Sequence, residues 1–420
     1  MDGTDRYVVT PNGPLDGTVV VSGAKNSALK LLAATLMVEG ECVLHNVPHI
    51  VDVEIMCDLL TSMGATVIRT EDTLRIDVPE KVTPEAPYEL VERMRASVVV
   101  LGPLLARHGQ ARVSMPGGDN FGPRPIDMHL AGLEQMGAAI TFAHGYVEAM
   151  ADRLTGARIV LEFPSHTATD NLMMAGVLAE GTTVIENAAR EPEVADLATF
   201  LNRMGAHVAG AGTSTIEIEG VSALRPAEHT VIPDRVEAAT WLAAVGIAKG
   251  EIVVEGARFD HMDMLIRKMG ETGVRISPTA DGLWASCHQR LGSVDVSTLP
   301  YPGVATDYKP LLLTMLAIAD GVAIVTENVF RDNRFAYVSE LIRMGADIRT
   351  ESHHAVVRGV ERLSGARVKA HDLRAGAALV LAGLVAEGET VVADAWHIDR
   401  GYDDLAGKLV GLGARVQRCR

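Results

Sequence analysis

A short phrase, Met-Gly-Ala-x-(Val/Ile), recurs at residues 63–67, 136–140, 204–208 and 344–348, with looser copies at 272–276 and 412–416. Its glycines, Gly64, Gly137, Gly205, Gly273, Gly345 and Gly413, are spaced by 73, 68, 68, 72 and 68 residues. A second series, Gly40, Gly109, Gly181, Gly250, Gly321 and Gly388, keeps spacings of 69, 72, 69, 71 and 67. Two independent markers sharing a period of about 70 residues define a six-fold repeat, and such a period dictates the architecture before any local propensity is weighed.

Each unit reads the same way. A polar cluster precedes an apolar run of helical length, as in residues 27–38 and 171–178. Such runs are apolar on nearly every face, so they predict buried helices. The glycine after each run reads as a helix C-cap. A β-rich segment follows (residues 42–44, 183–185, 252–254 and 390–392), then an amphipathic helix: Val53, Met56, Leu60 and Met63 precede Gly64 at the same offsets as Val194, Leu197, Leu201 and Met204 precede Gly205. Steps of three and four residues make one helical face. Two strands around a turn close the unit. The order is βαβαββ, and three units would close a pseudo-threefold α/β domain with helices inside and strands outside. Six units predict two domains, 25–232 and 1–24 plus 233–420. The additional N-terminal strands (residues 7–10 and 19–21) are expected to complete the second of these. A chain that crosses twice between domains predicts a hinge with a ligand cleft.

Composition narrows the class of function. Lys and Arg number 38 against 54 Asp and Glu, a formal charge of −16. That balance argues against nucleic acid or an acidic membrane as partner, but not against a small anion in a locally basic cleft. No apolar stretch approaches the roughly 20 residues that span a bilayer. Four scattered cysteines without a CxxC pair suit a reducing compartment and no structural metal. The opening Met-Asp-Gly-Thr-Asp-Arg lacks a signal pattern, so a cytoplasmic protein is expected.

The polar clusters carry the chemistry. They contain Lys25 and Asn26; Arg95; Pro164, Ser165 and His166; Asp234 and Arg235; Asp307; and Asp372 and Arg374. Ser, Thr and Asp are ordinary caps, yet six helix mouths, four of them with a cation (Lys25, Arg95, Arg235 and Arg374), predict an anion site. Residues 116–125 hold three glycines and three prolines, which excludes helix and central strand and suits a lid carrying Asp119 and Arg124. A plain surface turn is the alternative. His397-Ile398-Asp399-Arg400-Gly401-Tyr402 occupies the matching place of the sixth unit.

These phrases, with Ser22-Gly23-Ala24-Lys25-Asn26, Pro116-Gly117-Gly118, Arg124-Pro125-Ile126-Asp127, Asn187-Ala188-Ala189-Arg190-Glu191-Pro192-Glu193 and Thr306-Asp307, resemble the UDP-N-acetylglucosamine enolpyruvyl transferases over essentially the whole length. The resemblance implies two inside-out α/β barrel domains. It also implies transfer of the enolpyruvyl group of phosphoenolpyruvate to the 3-hydroxyl of UDP-N-acetylglucosamine with release of phosphate. That reaction is the first committed step of peptidoglycan precursor synthesis, on which cell shape and division depend. No metal or organic cofactor is implied. By the same resemblance Lys25, Arg124 and Arg400 grip phosphoenolpyruvate with Arg95 nearby. Asn26, Arg124, Pro125, Ile126, Asp127, Met128, Phe163, Pro164, Ser165, His166, Asp307 and Val329 lie along the nucleotide sugar, and Arg334 and Arg374 are further cleft cations. Asp307 is the expected base for the acceptor hydroxyl.

Three positions depart from the pattern of the family. Asp119 stands where most members carry Cys, so the proton for the methylene carbon comes either from Asp119 or from the substrate phosphate. A carboxylate is a poorer nucleophile than a thiolate, and insensitivity to fosfomycin is expected. Ser165-His166-Thr167-Ala168-Thr169 replaces the usual Ser-Val-Gly-x-Thr, after Phe163 in place of a basic residue. Arg334 follows Val329 with one extra residue. Two alternatives therefore stand: a paralogue acting on another uridine nucleotide such as UMP, and an inactive nucleotide-sugar-binding module.

Overall fold

The computed structural model describes residues 5–115, 126–330 and 334–420. The described residues form two compact units, one of residues 23–115 with 126–232 and one of residues 5–22 with 233–330 and 334–420. The chain passes between them at Ser22–Gly23 and again at Ile232–Pro233. Each unit has its own hydrophobic core.

Each repeat is one four-stranded sheet with two principal helices, to which the second and sixth repeats add a short third. In the second repeat Glu85–Ala86 and Gln110–Ser114 run parallel, and Gln110–Ser114 then pairs antiparallel with Tyr146–Met150, which forms a hairpin with Ala139–Ala143. All six sheets share this arrangement. Three of the sheets take a strand from outside their own repeat. Strand Glu228–Thr230 lies parallel to Gly40–His45 in the first unit. In the second unit β1 (Arg6–Thr10) is inserted between Thr390–Ala393 and Arg415–Cys419, and β2 (Leu15–Val20) runs parallel to Gly250–Glu255.

Both glycine series have a backbone reason. All twelve marker residues have φ between 68° and 111°, a region costly for any side chain with a Cβ. The Met-Gly-Ala phrase is a Schellman closure of the amphipathic helix. In every repeat the residue after the glycine donates back to the helix, as in Ala65 N–H to Leu60 O at 3.1 Å and Ala346 N–H to Leu341 O at 3.0 Å. The other series differs from the expected caps: only Gly109 directly closes its helix, and the rest stand beyond the C-cap, at or before the start of the next strand.

Six helices follow the polar clusters: α1 (Lys25–Thr35), α2 (Leu101–His108), α3 (His166–Val177), α4 (Arg235–Ala248), α5 (Lys309–Ala317) and α6 (Leu373–Gly383). Every residue of α4, α5 and α6 is buried, and the three contact one another pairwise. The helices thus fill the interior of the unit and the sheets surround them. The second repeat is irregular. Arg95–Val100 winds as a 3₁₀ turn before α2, because three consecutive valines and Pro103, which has no N–H to donate, weaken a regular first turn. Gly102 meets α3 so closely that a Cβ there would lie 2.4 Å from the Asn171 carbonyl oxygen. Among the described residues no helix is long and apolar enough to cross a membrane.

Candidate active site

Within the second unit, three aspartates sit near the starts of the buried helices, and two of them act as caps. Asp234 caps α4, accepting from the N–H groups of Val236 and Glu237 at 2.7 and 3.0 Å. Asp372 caps α6, accepting from Arg374 and Ala375 at 2.8 and 2.9 Å. Asp307 is placed differently. It lies within a 3₁₀ turn, Thr306–Tyr308, ahead of Lys309 and Pro310. The marker glycines predict this: Asp234 and Asp372 precede theirs by 16 residues, and Asp307 by 14. Two residues further on, a side chain has passed the capping position and projects from the first turn. Arg374 shares the offset of 14, and the two side chains meet.

The Asp307 side chain is 30% exposed; one oxygen lies 3.1 Å from an Arg334 nitrogen and the other 3.9 Å from Arg374 Nε. Arg374 also lies 4.0 Å from Asp234. Two guanidiniums and two carboxylates thus balance. Burial of Arg374 disfavours its charge, but Tyr402, Asp234 and Asp307 outweigh that and raise its pKa.

A buried network beneath holds this group in place. Glu327 accepts from the hydroxyls of Thr298 and Thr306 at 2.7 and 2.8 Å and from the N–H groups of Val329 and Phe330 at 2.9 and 3.2 Å. Its charge partner, Lys309, lies 2.9 Å away and donates to the Arg334 carbonyl at 2.8 Å. Burial pushes the Glu327 carboxyl up, but Lys309 and the two hydroxyls hold it below the ordinary value. Thr306 and Arg334 flank Asp307, so this pair positions both of its neighbours. Sequence reasoning passed over Glu327 and Lys309; the available signal was a lysine opening an otherwise apolar helix. In the 397–402 phrase, Asp399 binds Arg418 at 2.7 Å and Tyr7 at 3.1 Å, and Tyr402 pairs with Thr240 at 2.8 Å. Both are structural. Arg400 is buried near the Trp396 ring.

The first unit carries the other candidates. Lys25, the first residue of α1, pairs with Asp52 at 2.6 Å in buried surroundings. Asn26 is the one partly exposed residue of α1. Arg95 opens the 3₁₀ turn, and burial lowers its pKa. Ile126 is buried and precedes a helix, Asp127–Gln135, on which Asp127 is exposed and Met128 half-buried. The same helix buries His129, whose pKa is pushed down to about 3 by burial and then by the Arg95 charge. The Asn171 carbonyl takes the Gly102 N–H at 2.6 Å, so its amide nitrogen donates to His129 Nδ1 at 2.9 Å. The ring proton therefore belongs on Nε2, facing Thr167 at 3.3 Å. Phe163, Pro164, Ser165 and His166 form the half-buried entry to α3, where Ser165 Oγ accepts from the Ala168 N–H at 3.4 Å. Asp119, Arg124 and Pro125 lie outside the described residues, as does all of 116–125.

Comparison with known proteins places this geometry in context. A family described as EPSP synthase (3-phosphoshikimate 1-carboxyvinyltransferase) matches residues 9–409. The chain is 51% identical over 413 residues to UDP-N-acetylglucosamine 1-carboxyvinyltransferase 1 of Caldanaerobacter subterraneus subsp. tengcongensis, covering 98% of this chain and 99% of the relative. It is 50% identical over 414 residues to the UDP-N-acetylglucosamine 1-carboxyvinyltransferase of Mycobacterium tuberculosis, covering 99% of both. Among solved structures, the enolpyruvyl transferase NikO from Streptomyces tendae superposes with a TM-score of 0.89 at 28% identity, covering 99% of both chains. EPSP synthase from Acinetobacter baumannii, at 18% identity and a TM-score of 0.77 over 99% of both, shares the fold.

Proposed function

Because the chain belongs to the carboxyvinyltransferase family, with UDP-N-acetylglucosamine 1-carboxyvinyltransferases as half-identical, full-length relatives, we propose that it transfers the enolpyruvyl group of phosphoenolpyruvate to the 3-hydroxyl of UDP-N-acetylglucosamine. The match over nearly the whole of both chains carries this reading. The reaction releases phosphate, feeds peptidoglycan precursor synthesis, and thereby serves cell shape and division in the cytoplasm.

Asp307 takes the proton of the acceptor hydroxyl, whose oxygen bonds to C2 of phosphoenolpyruvate while the methylene carbon gains a proton. That proton comes from Asp119 or from the substrate phosphate. Loss of a methyl proton and of phosphate then restores the double bond. A partly exposed carboxylate flanked by two guanidiniums supports the role of Asp307. Lys25, Arg95, Arg124 and Arg400 hold phosphoenolpyruvate, and their cations offset the charge that develops on the phosphate-bearing intermediate. The acceptor lies along Asn26, Arg124 to Met128, Phe163 to His166, Asp307 and Val329, with Arg334 and Arg374 completing the cations.

Phosphate release from phosphoenolpyruvate with UDP-N-acetylglucosamine, UMP or shikimate 3-phosphate tests the assignment. Release with the first alone is expected. Release with UMP alone makes the chain a paralogue, and none with any acceptor makes it a binding module. With Asp119 in place of a thiol, fosfomycin leaves no covalent adduct detectable by mass spectrometry; time-dependent inactivation with an adduct would overturn that expectation.

A further inference from the structure

Among the described residues of the first unit, Asp170 is the interior carboxylate whose charge is poorly met. It is wholly buried on α3, and neither oxygen accepts a hydrogen bond. Its cationic contacts are long: Lys30 Nζ of α1 at 3.6 Å and His166 Nε2 at 3.3 Å, against about 2.7–2.9 Å for a charge-assisted bond. Lys30 and His166 lie 3.5 Å from each other, so the three groups form one closed cluster. Lys30 is itself buried and donates to the Asn26 carbonyl at 2.5 Å. His166, 18% exposed, is the member that reaches the surface. The elements packed against the cluster add Glu191 and Glu193 from the start of Pro192–Arg203, both of which disfavour the Asp170 charge, as well as Lys30, which favours it. The helix Asp127–Gln135 presents His129, which is turned to Thr167 and Asn171.

We propose that Lys30, His166 and Asp170 form a proton-holding cluster behind the acceptor loop, and that an anionic nucleoside-diphosphate sugar seated at Phe163–His166 binds with uptake of one proton. The proposal rests on the assignment of those residues to the acceptor. Its logic is one of charge. With Lys30 charged, one proton resides either on Asp170 or on the facing imidazole nitrogen, and the cluster carries a net single positive charge. Without that proton its net charge is zero. Burial, followed by the opposing influence of Lys30 and the push of the two glutamates, brings the Asp170 carboxyl up to about 7, so both states are populated in neutral solution. A polyanion at the helix entry favours the protonated state, and protonation of the imidazole puts the positive charge on the one member that faces it. His166 is thus a positioning residue whose charge is set by Asp170.

Calorimetric titration of UDP-N-acetylglucosamine into the full chain at pH 8, in phosphate and in Tris buffer, reads the proton directly, because the two buffers release it with different heats. Uptake of between half and one proton is expected, with affinity falling by up to about tenfold per pH unit above 7. Asp170→Asn removes both. Since that change leaves Lys30 less compensated, His166→Asn is the second variant: it keeps Lys30 and Asp170 but removes the imidazole that carries the charge to the helix entry, so proton uptake is expected to shrink. Binding whose heat is the same in both buffers, or uptake unchanged in both variants, overturns the cluster and leaves the acceptor assignment standing. No binding of UDP-N-acetylglucosamine in either buffer overturns the acceptor assignment, and the cluster's role with it.

Discussion

Lys309→Met tests whether the buried pair beneath Asp307 holds the site together. The Lys309 and Glu327 side chains are 0% and 1% exposed and 2.9 Å apart. Methionine preserves the unbranched stem and the apolar contact with Phe335, over which the ammonium lies 3.9 Å from the ring centre. It leaves the Glu327 carboxylate buried, with two hydroxyls and two main-chain N–H groups for company. Breaking one side of a buried ion pair costs about 3–5 kcal/mol, and the remaining donors place the loss near the lower end, about 3 kcal/mol. For a unit of this size each kcal/mol moves Tm by about 2–4 °C, so one calorimetric transition falls by about 6–12 °C. Lys309→Met with Glu327→Gln removes the stranded charge and recovers much of the loss. The acid side gives a sign. Because Glu327 is held below its ordinary value, its stabilisation is complete above the ordinary carboxylate range and is lost as pH falls through the lowered value. The deficit of the single variant is therefore largest near neutrality and shrinks in acid, where the stranded carboxylate takes a proton. A loss under 1 kcal/mol at pH 7, or a deficit independent of pH, would refute the reasoning.

Other consequences can be measured with the same protein. Asp307→Asn keeps the contacts to Arg334 and Arg374 but cannot accept a proton, so kcat falls by about 10²–10⁴-fold with a smaller change in acceptor KM; a near-normal kcat removes the base. Gly102→Ala drives a methyl group into the Asn171 carbonyl and destabilises the first unit by about 1–3 kcal/mol, read by urea denaturation. For His129, the folded pKa of about 3 lies below the ordinary 6.5, so the unfolded chain binds the extra proton and stability is lost as pH falls from 6.5 toward 3. In His129→Gln the slope of unfolding free energy between pH 6 and 4 is shallower by up to about 1.4 kcal/mol per pH unit, and an unchanged slope would show that the ring is not held neutral.

The parts of this protein that were legible in its sequence are those imposed by local backbone geometry. Left-handed turns demand glycine, and a Schellman closure demands it at one place, so the six-fold repeat and the βαβαββ order stand in plain view. The family phrases likewise pointed to the right family. Less visible were the interior polar groups. His129, Asn171 and Gly102 are distant in sequence, and no periodicity announces that one amide will fix the ring tautomer of the other.

What the sequence determined by itself was the count of units, the identity of the buried helices and the candidates at their mouths. The choice among those candidates belonged to tertiary structure. Three aspartates at helix starts differ in the chain only by an offset of two residues, and folding decides their partners: two spend oxygens on orphaned N–H groups, while Asp307, in a 3₁₀ turn, meets Arg334 and Arg374. The same holds for Asp170, an unremarked residue of α3 until folding sets Lys30 and His166 against it at distances too long to satisfy its charge. Local conformation is written in residue type and spacing. Which charges face each other, and how completely they are stripped of water, is decided only when distant segments pack.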